Sequence, residues 1–288
     1  MYNDISLCNI NKTILQECLI NFIFFHPLIY VMQFKSLEDK CLYYRELANY
    51  KLTPGLPVLI MLDGRLFSKK IKNKFKKPFD DFFVSAMNET MAYLCKNIQG
   101  CKVGYCQSDE ISLIATDLGE EGPASSFFGY RLCKIQSITA SIATSKFNQI
   151  MMKRWLEGEG NTIDNFPLYE FDSKAWVVPS YNDAYAHFLW RQFDCIRNAK
   201  QQIAQTYLPH KQLVGLNSDQ QVEKVKAEKG IDYDSFSDGL KQGRICYKEQ
   251  IEEVSPEYGT FMRSRWNVYD APRFNTEEGK EKILKLLE

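Results

Sequence analysis

Asp63 and Asp109 are the two side chains of this sequence whose type and setting best suit chemistry. Asp63-Gly64-Arg65 closes a continuous apolar run, and Ser108-Asp109-Glu110 stands between two short strand-like runs. Carboxylates converging from separate segments suit magnesium, which prefers oxygen ligands in near-octahedral geometry. Phosphoryl-transfer sites hold a pair of such ions about 3.5 to 4 Å apart between shared acids. Gly64 adds a backbone carbonyl free to approach as a third ligand. Taken singly, each motif also reads as an ordinary surface turn. Their matched positions, with a basic loop between them, set them apart. That loop carries Lys69, Lys70, Lys72, Lys74, Lys76 and Lys77, a positive density suited to triphosphate or RNA phosphates. Pro78 fixes Lys77 ahead of the next helix. Arg131 and Lys134, one turn apart near the start of a later helix, form a second pair with phosphate reach.

The elements that must position these residues are legible as periodicity. Residues 58–62 read as a buried strand delivering Asp63 at its C-terminal end. Asp80 and Asp81 can cap a helix to about residue 97, with Phe82, Phe83, Ala86, Met87, Met91 and Leu94 on roughly one face. Runs 102–105 and 111–115 are laid out as a hairpin with acids near its tip. A long helix is expected over 127–155 and a strand over 173–178, which Pro179 closes. The order is then β-α-β-β-α-β. Helices follow over 183–207 and over 218–229, the latter stopped by Gly230. The expected fold is α+β, with helices on one face of an antiparallel sheet. We divide the chain into an N-terminal extension at 1–31, a catalytic core at 32–180 and a helical elaboration at 181–288 that packs on the core.

Composition sets bounds but not a function. With 288 residues, 45% hydrophobic and 25% charged, the chain is of ordinary globular type. The 36 basic and 36 acidic side chains cancel, so attraction to a polyanion must come from local clusters. Nine cysteines without a CxxC pair, and only three histidines, disfavour a disulfide framework and a zinc site. A reducing cytoplasm is the expected location. Residues 19–32 are apolar and aromatic-rich, but too short to span a bilayer and interrupted at His26-Pro27, so no membrane association is expected. A start at Met32 would explain the preceding stretch as an upstream in-frame extension.

Four motifs occur in order: Asp63-Gly64-Arg65-x-Phe67, Lys77-Pro78-x-Asp80, Gln107-Ser108-Asp109-Glu110 and Trp190-Arg191-Gln192-x-Asp194-Cys195. Together they make the chain resemble tRNA-His guanylyltransferases, and most closely their bacterial guanylyltransferase-like relatives, over residues 32–266. The resemblance implies a fold like the palm of DNA polymerases, assembly as a homotetramer, and 3′ to 5′ nucleotide addition at a tRNA 5′ end. It implies that Asp63, Asp109 and the Gly64 carbonyl hold two Mg2+ ions, with Ser108 and Glu110 supporting catalysis. It further implies that Arg65, Phe67, Lys77, Arg131 and Lys134 serve the nucleotide. The substrates so implied are ATP, GTP and other nucleoside triphosphates. ATP first adenylylates a 5′-monophosphate; the 3′-hydroxyl of an incoming nucleotide then attacks and releases AMP.

One departure bears on the substrate. Eukaryotic members carry His-Ile-Asn-x-x-Asn-Asn after the Asp-Cys pair, whereas this chain reads Ile196-Arg197-Asn198-Ala199-Lys200-Gln201-Gln202. Loss of that histidine favours template-dependent repair of 5′-truncated tRNA over guanylate addition specific to tRNA-His. Trp190, Arg191 and Asn198 are read as RNA contacts, although a helical tryptophan is more often core. A nucleotide cyclase can use a similar palm, but its GGDEF-like signature is absent. A non-catalytic tRNA-binding protein would have little use for both acids.

Overall fold

A computed structural model describes residues 34–70, 75–116, 127–255 and 259–288. The extension 1–31, the apolar stretch 19–32, and Lys72 and Lys74 of the basic loop lie outside these residues. Residues 34–49 belong to a first unit; its described residues carry the helix α1 (Leu37–Leu47), whose first turn is capped by the Ser36 hydroxyl accepting from Asp39 N at 3.0 Å.

Residues 50–288 form the second unit, built on a six-stranded antiparallel sheet. Its first part follows the expected order: β1 (Val58–Gly64), the short helix α2 (Phe67–Lys70), α3 (Asp81–Asn97), β2 (Cys101–Gln107), β3 (Glu110–Ala115), α4 (Leu132–Trp155) and β4 (Phe171–Val177). Strand order β4-β1-β3-β2 places β1 and β3 at the centre. That is why both read as near-continuous apolar runs: each face of a central strand is covered. Val58, Ile60 and Leu62 enter a core with Met87, Met91 and Leu94 of α3 and Phe147 of α4. Leu59 points the other way.

The second half amends the expected single helical layer. Helix α5 (Tyr181–Tyr207) starts at Ser180, whose side chain accepts from Asp183 N at 3.2 Å. It is followed by α6 (His210–Leu213), α7 (Ser218–Lys229), α8 (Asp238–Gln242), β5 (Arg244–Ser255), β6 (Gly259–Asp270) and α9 (Glu277–Leu287). α5 and α9 cover the opposite face, where Ala184, Phe188, Ile283 and Leu287 join Leu59, Val103 and Ile114. Both faces of the inner strands are therefore covered. Strands β5 and β6 were not foreseen; they add two strands beyond β2. Gly230 does stop α7, in the left-handed conformation at φ 67°.

Helix α4 starts at Leu132 and not at 127, because Phe128, Gly129 and Tyr130 all take positive φ. It runs from the far end of β1 towards the Asp63 end. Near its start Tyr50 O accepts from Leu132 N at 2.8 Å, while further along Asn148 Nδ2 donates to Tyr169 O at 2.7 Å. Among the described residues no helix is long and apolar enough to cross a membrane.

Candidate active site

β1 ends between two partners. Asp63 stands opposite Glu110 of β3 and opposite Asp172 of β4. Directly paired residues of antiparallel strands project to the same face, so these three carboxyl groups share one side of the sheet. Gly64 N donates to Asp109 O at 3.1 Å, which holds Asp109 against the end of β1. The β2–β3 connection is the two-residue turn Ser108-Asp109, with Ser108 at φ 47°. The Ser108 hydroxyl donates to Asp109 Oδ1 at 3.0 Å. Gly64 has no room for a side chain, since a Cβ there would lie 2.7 Å from the Phe67 ring.

Burial and repulsion set the electrostatics. Burial raises the Asp63 pKa above 3.8, and the Asp172 charge raises it further, against Lys174, the Gly64 N–H and Arg191. Burial also raises Asp109, followed by the charge of Asp63; its own N–H and the Ser108 hydroxyl pull the other way. The two acids therefore sense each other across the turn. Glu110 is raised by burial and steadied by Arg191. Arg191 Nε and Nη2 donate to Glu110 Oε1 and Oε2 at 2.6 and 2.7 Å, and its Nη1 donates to Asp194 Oδ2 at 2.7 Å.

Two partly desolvated carboxylates that disfavour each other's charge are stabilised by a divalent cation. Among the described residues no group of three His, Cys, Asp or Glu side chains forms a metal cage. Asp63, Asp109 and the Gly64 carbonyl are the ligands on offer. Magnesium suits such a sparse set because it retains waters and takes phosphate oxygens for its other positions.

A cleft opens beside the turn, lined by Lys77, Asp80, Gln107, Ser108, Asn198 and Arg244, among others. Lys77 and Asn198, far apart in sequence, thus meet Ser108. Asp80 braces this loop by accepting from Lys76 N and Phe83 N, each at 3.0 Å. Arg65 is exposed just beyond the acids, and its N–H donates to Glu170 O at 2.8 Å.

Four expected site residues stand elsewhere or serve another purpose. Phe67 is 1% exposed and packs against Phe83, Phe147, Tyr169 and Phe171, so its ring is core and not a nucleotide contact. Arg191 is buried and its fork is occupied by Glu110 and Asp194; it braces the hairpin and is not available to RNA. Arg131 and Lys134 lie at the start of α4, at the Val58 end of the sheet. The seven residues of β1 put them about 20 Å from the acids. Trp190 departs from the core reading, being 55% exposed with the Arg191 guanidinium 4.4 Å over its ring. Asp172 and Lys174 were not anticipated as neighbours of Asp63. Their alternation in Phe171-Asp172-Ser173-Lys174 was the available signal, missed because the strand was read from 173.

A family model described as tRNAHis guanylyltransferase matches residues 40–179. Among solved structures, a bacterial tRNAHis guanylyltransferase-like protein in complex with ATP is 33% identical, with a TM-score of 0.76, covering 88% of this chain and 99% of its own. The complex of such a protein with GTP gives 30% identity and a TM-score of 0.71. The tRNAHis guanylyltransferase of Saccharomyces cerevisiae, at 22% identity and a TM-score of 0.60, shares the fold. A probable tRNAHis guanylyltransferase of Dictyostelium discoideum is 26% identical over 213 residues, covering 70% of this chain and 79% of that protein.

Proposed function

Because this chain belongs to the tRNAHis guanylyltransferase family, we propose that it is a nucleotidyltransferase that extends tRNA 5′ ends in the 3′ to 5′ direction, repairing truncated ends by template-dependent addition. The observation that carries the reading is the meeting of Asp63 and Asp109 at one end of the sheet, beside a cleft with Lys77 in its wall.

Magnesium bound at this pair supplies charge neutralisation on a triphosphate and a lowered pKa for the attacking hydroxyl. Asp63 and Asp109 hold that charge in place, and the Ser108 hydroxyl orients Asp109. Glu110, locked by Arg191, fixes the hairpin on which Asp109 rides. Lys77 at the cavity wall and Lys174 on β4 place positive charge on either side. In the first step a 5′-phosphate oxygen of the RNA attacks the α-phosphorus of ATP and pyrophosphate leaves. In the second, the 3′-hydroxyl of the incoming nucleoside triphosphate attacks the activated phosphate; AMP leaves and the hydroxyl proton passes to water.

Ile196, at the position where eukaryotic members carry histidine, supports templated repair over tRNA-His-specific guanylate addition. Exposed Trp190 and Asn198 are the RNA contacts of this reading. In the proposed homotetramer, Arg131 and Lys134 reach a nucleotide only at a neighbouring subunit's site, given their distance from their own acids. The site of action is the cytoplasm, on tRNA, with no membrane contact.

The test offers 5′-truncated tRNAs with different opposing bases, ATP, and each nucleoside triphosphate in turn. Incorporation that follows the opposing base is expected. Guanylate added without regard to template, and only to tRNA-His, would overturn the repair reading.

A further inference from the structure

Helix α5 passes over the acid-bearing face of the sheet and sends two aromatic side chains to opposite flanks. His187 stands over Ser112 of β3, and Arg191, one turn on, grips Glu110 of the same strand. Phe188 turns towards β2 and packs on Tyr105 and Phe274. Trp190 turns the other way. Its ring centre is 5.7 Å from that of His187, which is in turn 5.3 Å from Trp176 of β4. Phe188 is fully buried, whereas Trp190 is 55% exposed.

The exposed ring is fixed, and it is close to the acids. The Arg191 guanidinium lies 4.4 Å over it while held by Glu110 and Asp194. Glu110 is the direct cross-strand partner of Asp63, and Asp63 senses the Arg191 charge. Trp190 therefore stands on the same side of the sheet as Asp63, with one guanidinium between them. A ring clamped in this way has already lost the side-chain freedom that binding would otherwise take from it. Its open surface suits a nucleobase, because every base has a flat face to stack.

Position says whose base that is. The cleft with Lys77, which serves the triphosphate in the proposed reaction, lies on the β2–β5 flank of the acids, where Gln107, Ser108 and Arg244 line it. Trp190 lies on the β1–β4 flank. In-line transfer at a metal pair brings attacking and leaving groups together from opposite sides. With the nucleotide in the cleft, the flank of Trp190 is the one left for the RNA end.

We propose that Trp190 is the stacking platform for the 5′-terminal base of the RNA, a subsite across the acids from the nucleotide cleft. The inference rests on the transferase reading above and deepens it. Stacking tolerates every base, so the identity of the terminal nucleotide is not read there and the choice of the incoming one is left to the template. The competing role for Trp190 is a cover over the Arg191–Glu110 ion pair, which would act on stability and on both substrates alike.

The experiment uses the full-length protein in magnesium and a 5′-truncated tRNA carrying 2-aminopurine either at its 5′-terminal nucleotide or about five nucleotides inward. Fluorescence titration gives the RNA affinity of wild type, Trp190→Phe and Trp190→Ala. The affinity for a non-hydrolysable ATP analogue is measured separately, with thermal melts to establish folding. Wild type should quench the terminal probe and leave the inner one unchanged. Trp190→Ala should lose the quench and about tenfold in RNA affinity, with Trp190→Phe between, while affinity for the ATP analogue moves by under about twofold. Unchanged RNA affinity in Trp190→Ala, an equal loss for RNA and the ATP analogue, or a loss for the analogue alone overturns the inference and leaves the transferase reading standing. Should Trp190→Ala not fold, equal quenching of the two probes by wild type overturns it. Wild-type protein that binds no RNA overturns the transferase reading and this subsite with it.

Discussion

The acids of this site carry repulsion in the metal-free protein. Burial holds the folded-state pKa values of Asp63 and Asp109 above 3.8, helped at Asp63 by the charge of Asp172 and at Asp109 by the charge of Asp63. The folded protein then binds their protons more tightly than the unfolded chain. Their contribution to stability falls as pH rises from about 3.8 through the raised values, and at neutral pH the ionised pair destabilises the metal-free fold. Asp109→Asn should accordingly raise Tm without magnesium by on the order of 2 °C, abolish the magnesium-dependent rise seen in the wild type, and lower turnover at least about a hundredfold. A variant that melts lower and keeps its response to magnesium contradicts this. Arg191→Met should cost about 3 kcal/mol or more in denaturant unfolding by leaving Glu110 buried and unpaired, and Arg191→Met with Glu110→Gln should recover much of it. At this scale the approach of the two acidic turns was legible because the strand and hairpin order brings them to one end of the sheet. Phe67 and Arg191 were not, because spacing does not say whether a side chain turns towards the ligand or into the protein.

The β-α-β-β-α-β order was readable because its central strands are apolar on both faces and its helices show their caps. The β5–β6 hairpin hid for the opposite reason. Only Arg244 to Tyr247 pair with β2, and from Lys248 onwards β5 has β6 as its strand partner, so no sustained apolar pattern is required. The false start of α4 at 127 reflects Gly129 and its neighbours, whose positive φ no propensity count reveals. The turn after β1 gives a sharp test. Gly64→Ala drives a methyl into the buried Phe67 ring and should cost about 1 to 3 kcal/mol by denaturant midpoint. Phe67→Leu should also destabilise, while leaving the KM for nucleotide unchanged in the folded enzyme. A raised KM with unaltered stability would return Phe67 to the nucleotide site.

Across the whole molecule, α5 ties the sheet's second face to the active end, and His187 sits in that joint. It is buried, with Nε2 3.2 Å from the Ser112 hydroxyl and its ring between Trp176 and Trp190. Burial, helped by Arg191, lowers its pKa from 6.5 to about 4. As pH falls below 6.5 the unfolded chain takes up a proton that the folded protein refuses until about pH 4, so stability drains across that window. The stability advantage of wild type over His187→Gln should shrink by roughly 3 kcal/mol between pH 7 and 4; a constant difference would show that His187 titrates normally. The balanced charge of the chain hides a local positive grouping, with Lys174 beside Asp63 and Lys77 in the wall of the neighbouring cleft. In the proposed function Asp63 and Asp109 jointly hold divalent cations for nucleotidyl transfer. The most direct measurement counts Mn2+ bound per chain by electron paramagnetic resonance, with a non-hydrolysable ATP analogue present, in wild type, Asp63→Asn and Asp109→Asn. A pair of ions in the wild type, with loss of tight binding in both variants, is the predicted result. Unchanged Mn2+ stoichiometry and affinity in either variant would contradict a shared metal site at Asp63 and Asp109.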